Sequence, residues 1–180
     1  MRTREPIGGR LPSHDELMDA AAAVAQTANG GEVALAGGLA MQVWGSPRLT
    51  GDLDVVANSG LGYQGPELSF GGVRTHERGI DLDVIVRDDE WQGLYEEALT
   101  EAVNVRGVPM PVITPEYLAA MKMVAGRTKD EGDVRYLVLM EGFDRKKAET
   151  IVRRHLGPYA VKEFRSLIDE AAWRRSRGDE

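Results

Sequence analysis

The sequence predicts an α+β fold: a small mixed, mostly antiparallel sheet with flanking helices, followed by a C-terminal helical region. Three observations predict it. Short apolar or alternating runs over 32–36, 52–57 and 80–86 have strand length, and a further run over 73–75 stands close enough to the last to hairpin into it. Glycine pairs at Gly30-Gly31, Gly37-Gly38 and Gly71-Gly72 punctuate these runs. From Thr114 onward the apolar period becomes helical, which divides the chain into an α/β core over 1–113 and a helical region over 114–180 expected to pack on it.

Taken in order, residues 1–12 read as a flexible arm. Ser13 and Glu16 form a capping box for a helix through Thr27, with Leu17, Ala20, Ala21 and Val24 on one face and Asn29-Gly30-Gly31 as its stop. Residues 32–36 form a strand stopped by Gly37-Gly38, and 39–44 a short apolar helix closed by Gly45 and Pro47. Asp52 to Ala57 is the second strand. Residues 58–71 read as a glycine-rich loop, and Ile80 to Val86 alternates cleanly as the third core strand. Asp88-Asp89-Glu90 caps a helix through Leu99. Residues 102–105 and 109–113 read as edge strands, where Pro109 and Pro111 can be tolerated. Thr114-Pro115 opens a helix to Gly126, and further helices follow over 129–140, 144–155 and 159–175.

Bulk properties narrow the function. With 180 residues, 42% of them hydrophobic and 28% charged, the chain reads as globular. No run approaches the roughly 20 apolar residues that span a bilayer, so no membrane partner is expected. There is no cysteine, which excludes disulfides and thiolate chemistry. No apolar signal core follows Met1–Pro6, so a cytoplasmic location is expected. The net charge of −7 is uneven: residues 1–100 hold 7 Lys and Arg against 16 Asp and Glu, residues 101–180 hold 15 against 13. That slight basic excess is not a nucleic-acid signature.

The chemistry concentrates between Leu35 and Val56. Glycines admit close backbone approach to phosphates, and a helix N-terminus favours anions. Asp52 and Asp54 stand two apart on a strand and point the same way; Asp81 and Asp83 do so on the next acidic strand. If these strands are neighbours, up to four carboxylates converge at the end of a sheet, and they then need a cation to offset their repulsion. Oxygen-only ligands with open positions suit Mg²⁺, whereas His14, His76 and His155 are too scattered for zinc. Two Mg²⁺ ions roughly 4 Å apart can serve an in-line phosphoryl displacement. A dinucleotide site is disfavoured, since Ala36-Gly37-Gly38-Leu39-Ala40 is not G-x-G-x-x-G.

The strand, Gly37-Gly38, the short helix, Gly45-x-x-Arg48-x-Thr50-x-Asp52-x-Asp54 and the later acidic strand together resemble the nucleotidyltransferase superfamily related to DNA polymerase beta. The nearer resemblance is to the minimal and abortive-infection (AbiEii-like) toxin nucleotidyltransferases. The segment 113–137 is similar to their Leu-x-x-x-Lys-hydrophobic-x-Ala-x-Arg-x-Lys-Asp-x-x-Asp-hydrophobic helix pair. The resemblance covers about residues 32–137 and implies the nucleotidyltransferase fold. It implies transfer of a nucleoside monophosphate from an NTP to a hydroxyl, on a tRNA 3′ end or a protein, with two Mg²⁺ and a possible cognate antitoxin as partner. Carried over by position, Gly37 and Gly38 contact the phosphates, and Asp52 and Asp54 bind the metals. Asp83 is the third catalytic carboxylate, with Asp81 its alternative. Lys122 meets the triphosphate, and Arg48, Thr50, Arg127, Lys129 and Asp130 join the nucleotide site.

Plainer readings stand beside these. Lys122 can be a snorkelling side chain on an apolar helix, and Asp130 and Asp133 can stabilise a helix start. Arg48 and Thr50 can be loop residues, and Met41 and Trp44 core. Arg145-Lys146-Lys147 and the Trp173–Arg177 tail read as solvated surface. A non-catalytic nucleotide-binding or protein-interaction module of the same fold is the rival, and a small-molecule acceptor such as an antibiotic is a further alternative.

Overall fold

The computed structural model describes residues 10–29 and 32–178. Most of the predicted arm, and Gly30-Gly31, lie outside the described residues. Among the described residues, seven helices and one four-stranded sheet make an α+β fold. Contacts divide the chain into two compact units. The first runs to Gln92 and adds Leu99–Ile113; the second holds Gly93–Ala98 and the chain from Thr114.

In the first unit, α1 spans His14–Ala28. Its capping box forms as expected: Ser13 Oγ accepts from the Glu16 amide, and the Glu16 carboxylate accepts from the Ser13 amide at 2.7 Å. Asn29 closes the helix in the left-handed conformation. β1 (Val33–Ala36) is buried along its whole length. α2 (Gly37–Val43) begins at the glycine pair itself, so these two residues form the first helical turn rather than a turn ahead of it. β2 (Asp52–Ala57), β3 (Gly72–Glu77) and β4 (Ile80–Ile85) complete the sheet in the order β1-β2-β4-β3. The β1–β2 and β3–β4 pairs are antiparallel and β2–β4 is parallel, a mixed and mostly antiparallel sheet. β3 and β4 join through Arg78 and Gly79, both at positive φ, the geometry of a two-residue type I′ hairpin.

Two expected edge strands are reduced to isolated bridges. Val112 pairs with Val103 on one side and Leu35 on the other, and no ladder extends from it. Pro109 and Pro111 have no amide to donate, which removes alternate rungs. The loop 58–71 carries one bridge, Glu67 to Val73.

The second unit is helical. Most of α3 (Gln92–Thr100) belongs to it, with α4 (Pro115–Ala125), α5 (Thr128–Val138), α6 (Arg145–Leu156) and α7 (Pro158–Arg177). α4 packs on α5 and α6, and α7 closes against α5 and α6. Leu118, Val134, Leu137, Ile151, Val152 and Phe164 form their shared core. Thr114 caps α4 by backbone conformation alone; its hydroxyl is buried and has no partner among the described residues. Among the described residues no helix is long and apolar enough to cross a membrane.

Candidate acidic site on the sheet

Strand alternation builds the site. In β2, Leu53 and Val55 are fully buried; in β4, Leu82 and Val84 are. That commits Asp52 and Asp54, and Asp81 and Asp83, to the opposite face. The parallel register sets Asp52 beside Asp81 and Asp54 beside Asp83. All four carboxylates therefore share one face, as their spacing predicts.

β3 adds two groups that the carboxylate pattern does not contain. Its antiparallel register sets Arg74 beside Asp83 and His76 beside Asp81. Two rows cross the sheet: Asp54, Asp83, Arg74 and, one rung away, Asp52, Asp81, His76. Arg74 grips Asp83 with both arms of its guanidinium, Nε to Oδ1 at 2.6 Å and Nη2 to Oδ2 at 2.5 Å. His76 Nε2 lies 2.7 Å from Asp81 Oδ1. The Asp83 hydrogen bond holds Arg74 more firmly protonated; burial works against this, and the charges of Asp83, Asp54 and Asp81 work with it. The signal was present in the sequence. A two-residue turn at Arg78-Gly79 fixes partner numbers that sum to 157, which pairs 74 with 83 and 76 with 81.

α2 presses on the same face. A Cβ added to Gly37, at φ +57°, would stand 1.8 Å from Asp54 Oδ2. One added to Gly38 would stand 2.3 Å from Thr50 Oγ1. Only glycine lets the first turn of α2 lie this close to Asp54 and Thr50. Thr50 is buried, and its hydroxyl donates to Asp52 Oδ1 at 2.6 Å, fixing one oxygen of that exposed carboxylate. The Arg48 backbone ties to Ser46 Oγ and to the Gln42 amide. A cleft of about 170 Å³ borders the hairpin end of the face, lined by Arg10, Glu16, Gly51, Arg78 and Asp81 among others.

Fit to a divalent cation is partial. Asp52 and Asp54 supply hard oxygens on one face, and Mg²⁺ is commonly held by one or two carboxylates with the rest of its shell from water and phosphates. Asp83 does not fit a third ligand position in the same way, because Arg74 engages both its oxygens. Among the described residues no three His, Asp or Glu side chains are grouped to hold a metal.

The other expected nucleotide ligands belong to the second unit. Lys122 is buried at 8% exposure, with Nζ 2.7 Å from Asp133 Oδ2 and 3.3 Å from Asp130 Oδ1. Arg127 Nε donates to Asp130 Oδ2 at 2.6 Å. Burial works to raise the Asp130 pKa, but the Arg127 hydrogen bond and the Lys122 and Arg127 charges prevail and hold it below the usual carboxylate value. Lys129 is exposed. Nearby in this unit, Glu97 is engaged by His155, Arg154 and Tyr117.

In comparison with known proteins, no family model matches the chain and no curated protein matches it.

Proposed function

We propose that this chain is a magnesium-dependent nucleotidyltransferase in which an acceptor hydroxyl attacks the α-phosphorus of an NTP, taking the nucleoside monophosphate and releasing pyrophosphate. The observation that carries the reading is the shared face of β2 and β4, with Asp54 held against the glycine turn that opens α2. Asp52 and Asp54 would hold Mg²⁺, which when bound would supply charge neutralisation for the triphosphate and lower the pKa of the attacking hydroxyl. Thr50 orients one oxygen of Asp52, the carboxylate that would meet the cation. Gly37, half-buried beside Asp54, would turn its backbone to a phosphate oxygen, while Gly38 is buried against Thr50. Asp83, next to Asp54 in register, would accept the acceptor proton once Arg74 releases one of its oxygens. In this reading Lys122, Asp130, Asp133 and Arg127 tie α4 to α5, and the triphosphate is served by the first unit's groups. The absence of cysteine agrees with a cytoplasmic setting.

One observation favours the rival reading, a non-catalytic module of the same fold: Asp83 is already neutralised by Arg74. Both readings are tested by incubation with each α-labelled NTP, Mg²⁺ and, separately, total tRNA, cell lysate or aminoglycoside. Label transferred to one acceptor, and lost in Asp54→Ala, supports the enzyme and names the acceptor class. Mg²⁺-independent NTP binding without transfer supports the module.

A further inference from the structure

We propose that Arg74 is a resident cation of the acidic face, so that a second divalent ion reaches Asp83 only by displacing its guanidinium. The inference rests on the reading of Asp52 and Asp54 as a metal pair, and it assigns Arg74 a role that the carboxylate motif does not contain.

Position makes the argument. Asp83 stands between Asp54 and Arg74 in one row of the sheet, so it has a choice of partner. Toward β2 it can share a cation with Asp54; toward β3 it meets a planar, permanently charged fork that matches a carboxylate. Both carboxylate oxygens go to the fork. Exposure makes the choice reversible. The Asp83 side chain is 17% exposed and stays with the sheet, while Arg74 is 41% exposed and can swing into water. Water stabilises a released guanidinium, whereas a recessed Asp83 left alone would lose its counter-charge, so Arg74 leaves only when another cation arrives. His76 on Asp81 repeats the arrangement one rung away, through a single contact.

A cation at Asp83 must therefore give up two charge-assisted hydrogen bonds to gain its ligand. Because Arg74 is exposed and water screens its pair, removing it tightens cation binding at Asp83 by about tenfold. Arg74→Lys retains the charge without the fork and falls between.

The test counts Mn²⁺ bound to the nucleotide-free full chain by electron paramagnetic resonance and calorimetry. It compares wild type with Arg74→Ala, Arg74→Gln, Arg74→Lys and Arg74→Ala/Asp83→Asn, each checked for folding by circular dichroism. The wild type takes up one ion tightly, lost in Asp52→Asn/Asp54→Asn. Arg74→Ala or Arg74→Gln adds a second ion, or tightens a weak one about tenfold, and Asp83→Asn abolishes the gain. If wild type binds one ion through Asp52 and Asp54 and neither neutral variant changes the second site, the Arg74 inference is overturned while the metal reading stands. If Asp83 already supports a tight second ion in wild type, it is overturned as well. If no variant binds Mn²⁺, both the inference and the metal reading fall.

Discussion

Gly37→Ala isolates the contact that joins the glycine turn to the acid pair. At φ +57° an alanine incurs the left-handed penalty, about 1–2 kcal/mol. Its new Cβ would also stand 1.8 Å from Asp54 Oδ2, 2.5 Å from Cγ and 2.7 Å from Cβ. Rotating the Asp54 side chain clears the oxygen but not its Cβ, so β2 or α2 must shift, and overpacking of this kind adds about 1–3 kcal/mol. The expected loss is about 2–5 kcal/mol. Gly79→Ala is the control: at φ +79° with nothing within 4 Å, it incurs the backbone penalty alone. Urea unfolding followed by circular dichroism, with m unchanged, gives both values. A double-mutant cycle with Asp54→Gly should recover about 1–3 kcal/mol of coupling, because it removes the colliding side chain. If Gly37→Ala is no more destabilising than Gly79→Ala, Asp54 does not lie against the turn and the site's geometry is wrong.

Four further outcomes are expected. Lys122→Met should destabilise the helical unit by about 3–5 kcal/mol, since it leaves buried carboxylates short of a counter-charge; adding Asp133→Asn should return part of that loss in thermal melts, because Asp130 and Arg127 remain balanced. Asp130 is held below its ordinary value of 3.8, so its contribution is full above that pH and is lost as pH falls through the folded value; acid unfolding of wild type should steepen below about pH 4, and Asp130→Asn should flatten that limb. Thr50→Val should weaken Mg²⁺-dependent NTP binding severalfold while changing stability little, since it frees one Asp52 oxygen from its orienting hydroxyl; isothermal calorimetry reads the first and a melt the second. Asp52→Ala should abolish the Mg²⁺ dependence of NTP affinity.

The residues show where sequence reasoning reaches and where it stops. The bounds of β2 were legible because one face is apolar at every second position and a glycine precedes it. α1 was legible from its capping box, a local device. The four-carboxylate face was legible as two pairs, but the partners of the second pair were not. Arg74 and His76 stand on a strand read only as 73–75, and their opposition to Asp83 and Asp81 depends on the turn register. The edge strands over 102–113 failed because ladder length depends on which amides face a partner, and prolines there removed the donors. The Lys122 network lies beyond local rules altogether. Lys122 and Asp133 are joined across the break at Gly126, and their contact follows from the packing of α4 on α5.

The most direct measurement is a crystal structure of the full chain with Mn²⁺ and a non-hydrolysable NTP, phased for anomalous signal. A Mn²⁺ peak at Asp52 and Asp54 is expected, with the nucleotide phosphates against Gly37 and Gly38. A nucleotide bound elsewhere, or a Mn²⁺ peak that touches neither aspartate, would contradict it.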